Sequence, residues 1–173
     1  MNSENTSIPV IDVGSLAGQS PSSALYSSFY EAYHHLGFGY IVNHGIEPAL
    51  VESVFDASRR FHAMPLEEKM KIALDRKHRG YIAINTSTDV NSQLAEVKKP
   101  NQSASFMMMR EDRDETAGVY LSGPNQWPEL DGFRPILEKF NAELESLAQK
   151  LMRVALVSAG VQDLSVMEKF VKP

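Results

Sequence analysis

The sequence contains no cysteine among its 173 residues. This absence excludes a disulfide framework, a thiolate nucleophile and any cysteine-ligated zinc or iron–sulfur site. There is also no uncharged apolar run of about 18 residues, the length that a membrane-spanning helix requires. The first ten residues, MNSENTSIPV, lack the basic and apolar regions of a signal peptide. We therefore expect an intracellular, cytoplasmic protein with no membrane partner.

Positive charge is also in short supply. The 17 Lys and Arg residues are outnumbered by 22 Asp and Glu residues, and the formal net charge at pH 7 is -5. A chain with this charge is poorly suited to bind nucleic acid, and its basic stretches are short. The 43% of hydrophobic residues is ordinary for a globular protein, and the length is sufficient to bury a core. The composition therefore predicts a globular protein that does not bind nucleic acid.

Familiar catalytic motifs are missing too. The chain has no glycine loop of the dinucleotide or P-loop type, no G-x-S-x-G nucleophile elbow and no H-E-x-x-H pair. An iron site of two histidines and one carboxylate takes two of its ligands from H-x-D or H-x-E on a strand. None of the five histidines is followed by an acid two positions later. The residue pattern therefore predicts no catalytic residue and no metal ligand.

Three histidines nevertheless lie close together in HHLGFGYIVNHGI. His34 and His35 are adjacent on a predicted helix, so their side chains point about 100° apart, which suits shared ligation poorly. His44 follows an apolar run at a turn, where its imidazole is expected to bond to the backbone rather than to a metal. We interpret this stretch as a strand and a turn, with a metal site as the less favoured alternative.

Hydrophobic patterning predicts four short strands. They cover Ile8–Val13, Phe38–Asn43, Gly80–Ile84 and Ser105–Met109. The second of them is almost continuously apolar, which predicts burial on both of its faces. The polar stretch from Arg76 to Pro100, apart from the third strand, predicts a long loop that either has a binding function or is mobile.

Apolar residues at helical spacing predict four helices. The first carries Leu25, Phe29, Ala32 and Leu36 on one face, with serines before it as caps and Gly37 as its stop. The second begins at Pro48 and carries Leu50, Val51, Val54, Phe55 and Phe61. The third begins with Pro65 at its first position and has Glu67 and Glu68 in its first turn.

The fourth predicted helix is the longest. Its apolar stripe consists of Phe133, Leu137, Phe140, Leu144, Leu147, Leu151 and Val154. Ile136, Ala148 and Ala155 widen the stripe, which favours a helix that backs a sheet over the seam of a coiled coil.

Five segments occur in an informative order: IPVIDVGSL, HHLGFGYIVNHGI, FHAMPLEEKMKI, RGYIA and GPNQWPE, followed by the long helix. In this order they closely resemble the N-terminal region of the iron(II)- and 2-oxoglutarate-dependent oxygenases related to isopenicillin N synthase. The resemblance runs from about Ile8 to the end of the long helix. It implies an α+β fold whose helices and few strands flank a double-stranded β-helix (jelly roll), and the main part of that jelly roll is absent from this chain.

The resemblance also implies a division of the chain. Residues 1–7 would be a polar tail, residues 8–130 the N-terminal dioxygenase domain, and residues 131–173 the long helix with the start of the link to the missing barrel. In the family, the H-x-D motif, a distal histidine and the R-x-S motif that binds 2-oxoglutarate lie beyond this region. None of these motifs occurs here, so no metal or cosubstrate ligand is transferred to this chain.

For function, the resemblance implies an enzyme that uses iron(II) and 2-oxoglutarate to hydroxylate or desaturate a small molecule. This chain would supply the substrate-shaping N-terminal part, with the missing C-terminal jelly roll as its partner, and by itself would be inactive and bind neither cofactor. The alternative is a stand-alone, non-catalytic binding or interaction module.

The substrate pocket is the one site that the resemblance transfers to this chain. In the family, the stretches that match HRGYI and SFMMM border the pocket. The candidate substrate-binding residues are His78, Arg79, Tyr81, Phe106 and Met108. For Tyr81 and Phe106, aromatic packing beneath a loop is an equally good interpretation. For the methionine run, an adaptable core is the favoured alternative.

Overall fold

The computed structural model describes residues 7–18, 21–86, 102–111 and 121–168. These residues form an α+β structure with four α-helices and four three-residue strands. The helices are α1 (Ser23–His35), α2 (Pro48–Ala63), α3 (Leu66–Met70) and α4 (Phe133–Ser158). The strands are β1 (Val10–Asp12), β2 (Tyr40–Val42), β3 (Gly80–Ile82) and β4 (Ser105–Met107). Most of the predicted long loop, residues 87–100, lies outside the described residues.

The chain divides into two compact units. The terminal unit comprises Met1–Glu52 and Glu138–Pro173, and the central unit comprises Ser53–Leu137. The boundaries between the units fall inside α2 and α4. None of the helices among the described residues has the combination of length and apolar character that a membrane span needs.

Local sequence signals explain where the helices begin and end. The Ser22 hydroxyl accepts a hydrogen bond from the backbone N–H of Leu25 at 3.2 Å, which caps α1. Gly37 ends the same helix with φ +85°, and its N–H donates to the carbonyl of Ala32. Pro65 is the N-cap of α3 rather than its first residue, because the regular helix begins only at Leu66. The predicted helices are therefore confirmed, with a shift of one residue at α3.

In the terminal unit, β1 and β2 form a parallel two-stranded ribbon. Its inner face carries Ile11, which is 1% exposed, and this residue belongs to one core cluster with Phe29 of α1 and Val154 of α4. The opposite face carries Val10 and Tyr40, which are directly paired and more than half exposed. The prediction that the second strand is buried on both faces is therefore wrong. Among the described residues, the core packs against one face of the ribbon only.

The turn that follows β2 confirms the interpretation of His44. Its Nδ1 accepts a hydrogen bond from the backbone N–H of Ile46 at 3.1 Å. The turn is tight, since Asn43 and Gly45 both have positive φ, at +58° and +82°. The amide of Asn43 also donates to Asp12 Oδ2 at 2.9 Å, which connects the two strand ends. His44 therefore stabilises this turn in the way that the sequence predicted.

In the central unit, an antiparallel ribbon of β3 and β4 lies against an aromatic core. The register pairs Gly80 with Met107, Tyr81 with Phe106, and Ile82 with Ser105. The core cluster contains Ala57 and Phe61 from α2, Tyr81 from β3 and Phe133 from α4. Phe61 is fully buried, and the ring centroids of its four neighbours lie between 5.1 and 5.8 Å from its own. The ribbon is thus positioned by aromatic packing on one of its faces.

Candidate functional site

The five residues predicted to border a substrate lie at β3 and β4 of the central unit. Tyr81 and Phe106 are directly paired across the two strands. Tyr81 is 5% exposed, and both rings contact Phe61. Phe106 also contacts Phe133 at 5.1 Å and Trp127 at 5.8 Å between ring centroids. In this chain the two rings therefore form part of the aromatic core.

Within the described part of the chain, Arg79 is the largest fully buried side chain, with 1% exposure. Its guanidinium donates to three backbone carbonyls, those of Lys77 (3.0 Å), Arg110 (3.0 Å) and Leu121. Among the residues that the structure describes, Nε has no acceptor. Burial of a charge is costly unless the charged group is hydrogen-bonded, and the three carbonyls supply such bonds to the guanidinium. The same bonds connect the segments to which the carbonyls belong. Arg79 thus joins the start of β3, the segment after β4 and the segment at Leu121.

The other two candidates lie at the strand ends. His78 is exposed and has φ +58°, in the turn just before β3. Met108 is half-buried and follows the last residue of β4. Because side chains alternate along a strand, the residues next to Tyr81 and Phe106 in each strand point to the face opposite the aromatic core. That face carries Ile82, Ser105 and Met107, with Met107 37% exposed.

No residue of this second face was among the predicted site residues. The signal that could have found them is the alternation of side chains along a strand. Once Tyr81 and Phe106 are known to be paired with their rings in the core, their neighbours in each strand are expected on the opposite face. Four of the five predicted residues instead share the alternation of the buried positions, since Arg79 and Met108 lie two residues from Tyr81 and Phe106. The structure brings all five to one ribbon, but it exposes chiefly His78.

Gly80 is the position at which this ribbon tolerates no side chain. Its φ is +114°, outside the range that other residues adopt readily. A Cβ at Gly80 would lie 2.2 Å from the carbonyl oxygen of Ile72 and 2.8 Å from Nε2 of Gln126. The two backbone segments approach closely here because the N–H of Tyr81 donates to the same Ile72 carbonyl at 2.7 Å. The glycine of the RGY motif therefore permits backbone contact at the edge of β3.

Two consecutive amide side chains bind the ends of both strands. Asn125 accepts from the N–H of Met109 at 2.8 Å and donates to the carbonyl of the same residue at 2.7 Å. Gln126 donates through Nε2 to the carbonyls of Arg79 (2.7 Å) and Ala73 (3.0 Å). We call Asn125 and Gln126 the amide clasp. The described residues 121–130, which include both amides, form no helix or strand.

Glu111 supports the clasp from the segment after β4. Its Oε1 accepts from the N–H of Asn125 at 2.8 Å and from the indole Nε1 of Trp127 at 3.3 Å. Arg134 lies 3.6 Å from its other oxygen and 5.3 Å from the centre of the Trp127 ring. Partial burial raises the pKa of Glu111, but the hydrogen bonds and the charge of Arg134 outweigh it and hold the pKa below its usual value. The carboxylate is therefore charged over the neutral pH range.

The histidines have contacts of their own. His35 lies 2.9 Å from Glu31, and the ring of His34 stacks on Tyr30 with centroids 5.0 Å apart. Across the described ranges, no three His, Asp or Glu side chains are grouped in a way that could hold a metal ion. The described residues thus offer no set of ligands that fits an iron site.

The arrangement of these elements is shared with a known class of enzymes. A full-length Neurospora crassa protein, solved in complex with alpha-KG (2-oxoglutarate), is similar with a TM-score of 0.72 and 25% identity. The similarity covers 94% of this chain and 50% of that one. The fold is thus that of the N-terminal region of 2-oxoglutarate oxygenases, as the resemblance implied.

The family follows from the sequence match. Residues 8–130 match the family described as "non-haem dioxygenase in morphine synthesis N-terminal", and the chain belongs to that family. Azadirone synthase LFS of Melia azedarach is 32% identical over 143 residues, which are 79% of this chain and 40% of that protein. The 2-oxoglutarate-dependent dioxygenase eupC of Phoma sp is 27% identical over 158 residues, 84% of this chain and 49% of that protein. The chain spans half or less of the length of these two curated relatives.

Proposed function

We propose that this chain is the N-terminal, substrate-shaping part of a non-haem iron(II)- and 2-oxoglutarate-dependent oxygenase that hydroxylates or desaturates a small molecule. The observation that carries the proposal is the family match over residues 8–130, together with relatives about twice as long that are named as 2-oxoglutarate-dependent dioxygenases or synthases. In this proposal the chain shapes the pocket and a C-terminal jelly roll performs the chemistry.

The outer face of the β1–β2 ribbon supports a jelly-roll partner. Val10, Tyr40 and Val42 are 63%, 61% and 39% exposed, and they lie on the same face of the two strands. Parallel strands are nearly always covered on both faces, because they occur inside larger layered sheets. An exposed apolar face on such a ribbon is typical of an interface. We propose that the jelly roll covers it.

The β3–β4 ribbon supports the substrate-shaping role. His78 and Met108 are proposed to border the substrate from the strand ends, and Met107 from the open face. The other three candidates are proposed to support these residues from the buried side of the ribbon: Arg79, Tyr81 and Phe106. The burial of Arg79 and Tyr81, at 1% and 5% exposure, supports this assignment, since neither side chain reaches solvent in this chain.

Iron(II) and 2-oxoglutarate are the cofactors of the proposed intact enzyme. The described residues offer no ligand set for iron, so none of them is assigned to either cofactor. The proposal therefore predicts that the 173-residue chain alone is inactive.

The test compares the chain alone with a fusion. The purified chain is given iron(II), ascorbate and 2-oxoglutarate, and so is the chain joined to the C-terminal half of the Neurospora crassa protein. We expect succinate from the fusion and none above a buffer blank from the chain, with omission of 2-oxoglutarate as the control. Turnover by the chain alone would contradict its inactivity. A folded fusion that forms no succinate would favour the non-catalytic interaction module.

A further inference from the structure

We infer that Asn125 and Gln126 are positioning residues for the substrate: their side chains hold the ends of β4 and β3 that border it. This inference rests on the proposed function and adds to it two residues that no catalytic or metal motif marks. It depends on which groups bind the backbone just beyond the last residue pair of the β3–β4 ribbon.

The ladder between β3 and β4 has only three residue pairs, and the last is Gly80 with Met107. His78 and Met108, the two proposed border residues, lie just beyond this pair. Direct strand pairing therefore does not set the distance between them. Their positions depend on whatever binds the backbone on either side of the last pair.

On the β4 side, that group is Asn125. A primary amide carries both an acceptor and a donor, and it binds the N–H and the carbonyl of Met109 as a neighbouring strand would. Met108 is thus held between a paired residue, Met107, and a residue bonded through both of its backbone groups. The backbone at Met108 has little freedom to move as a result.

On the β3 side, that group is Gln126. Its Nε2 donates to the carbonyl of Arg79, the residue between His78 and Gly80, and to the carbonyl of Ala73. Ala73 belongs to the segment that pairs with the outer edge of β3. Backbone hydrogen bonds of Tyr81 with Ile72 and of Asp75 with Arg79 also join this segment to the start of β3, and Gln126 adds a side-chain connection between the two.

Because Asn125 and Gln126 are consecutive, one short piece of backbone determines both anchor points. This piece is itself fixed, since Glu111 accepts from the N–H of Asn125 and the Trp127 ring packs on Phe106. The clasp therefore couples the position of one border residue to that of the other.

The first arm of the test uses the 173-residue chain and near-isosteric variants. Asn125→Leu removes both the acceptor and the donor that bind Met109, and Gln126→Glu replaces the donating NH₂ with an oxygen that faces a carbonyl. The matched controls are Asn141→Leu and Gln162→Glu, at exposed positions. Hydrogen exchange is followed at the amide of Met109 and, as an internal reference, at the amide of Tyr81, which donates to Ile72. Methyl NMR follows Met108.

We expect Asn125→Leu to raise the exchange rate of the Met109 amide by about tenfold, because the acceptor of its hydrogen bond is lost, and to shift the Met108 methyl signal. For Gln126→Glu we expect a shift of the His78 ring signals. The Tyr81 amide in Asn125→Leu, and all signals in the control variants, should stay within about twofold of wild type. Unchanged signals at Met109 and His78, or an equal rise at Tyr81 in Asn125→Leu, would overturn the inference.

The second arm measures kinetics in the intact oxygenase. Each clasp variant is expected to raise the substrate KM by about tenfold with an unchanged KM for 2-oxoglutarate. A residue that only supports folding would lower kcat through loss of folded enzyme and leave both KM values alone, and that outcome would overturn the inference. A wild-type enzyme that forms no succinate would count against the proposed function, while the exchange data would still decide whether the clasp holds the strand ends.

Discussion

Two ribbons of the same size differ in how completely their faces are buried and their strand ends are hydrogen-bonded. The β1–β2 ribbon is parallel, packs on one face and leaves Val10 and Tyr40 more than half exposed on the other. The β3–β4 ribbon is antiparallel, packs on aromatic rings, and has side-chain amides bonded to its strand ends. Six residues of strand cannot be stable alone, so each ribbon depends on its surroundings. Among the described residues, the first has one exposed apolar face, and the second is held by contacts within its own unit.

This difference suggests different roles: an interface for the β1–β2 ribbon and a rigid support for side chains in the β3–β4 ribbon. An apolar sheet face without cover marks the place where another element packs. A ribbon with a buried face and with hydrogen-bonded strand ends holds side chains in defined positions. We therefore expect substitutions in the buried core of the central unit to change stability strongly, and substitutions on the outer face of the terminal ribbon to change association instead.

The largest effect is expected for Phe61→Ala in the aromatic core. Phe61 is fully buried and contacts rings from β3, β4 and α4. Its truncation leaves a cavity and should lower the free energy of unfolding by about 3–5 kcal/mol. Urea unfolding measures the loss. Phe55→Ala on the same helix is the control, because Phe55 is 62% exposed, and it should cost less than about 1 kcal/mol. Equal losses would show that the core is not where the structure places it.

Gly80→Ala is expected to have the next largest effect. The added Cβ meets the backbone oxygen of Ile72, and the residue must also keep a positive φ. We expect a loss of about 2–3 kcal/mol in thermal or urea unfolding. Gly132→Ala is the matched control: it also has a positive φ, but its nearest new contact is the Ile136 side chain at 3.7 Å. If the two variants are equally stable, the close approach at β3 is absent.

Glu111→Gln should have a smaller effect that depends on pH. The folded state lowers the pKa of Glu111, so its charge stabilises the fold above the unfolded pKa, and this contribution is lost as the pH falls through the folded pKa. The free energy of unfolding of wild type should exceed that of the variant by less than about 1 kcal/mol at pH 7. The difference should disappear as the pH falls through the lowered pKa of Glu111. Trp127, the single tryptophan, reports unfolding by fluorescence. Glu143→Gln, at an exposed position, is the control and should lie within about 0.5 kcal/mol of wild type at pH 7.

The smallest effect on stability is expected for Tyr40→Ser. Tyr40 is 61% exposed, so its loss should change the free energy of unfolding by less than about 0.5 kcal/mol. Ile11→Ala, on the buried face of the same ribbon, should cost about 2–4 kcal/mol. Tyr40→Ser should instead reduce hydrophobic-dye binding and self-association, which we expect of the wild-type chain alone. Sizing chromatography that shows a compact wild-type monomer without dye uptake would contradict an uncovered interface.

Local signals made much of the fold predictable. Serine caps, helix-stopping glycines and apolar spacing gave four helices close to their observed bounds, because these signals act within a few residues. The His44 turn was predictable for the same reason. The spacing could not separate Phe55, which is exposed, from Phe61, which is fully buried, since both fit an apolar helical pattern.

The candidate site was predictable only as a region. The resemblance directed attention to HRGYI and SFMMM, and the structure does bring these two segments together as β3 and β4. It could not indicate that Arg79 binds three carbonyls, because those acceptors lie 2, 31 and 42 positions away in the sequence. The roles of Asn125 and Gln126 were missed for the same reason.

By itself, the sequence determined the family, the order of the helices and strands, and the absence of the catalytic motifs, since all of these depend on residue identity and local spacing. Only the tertiary structure decided which face of each strand is buried and which polar side chains bind the strand ends. A shift of one residue in register moves every side chain of a strand to its other face. That register is set by long-range contacts, such as Phe61 against Tyr81 and Phe106, which no local pattern contains.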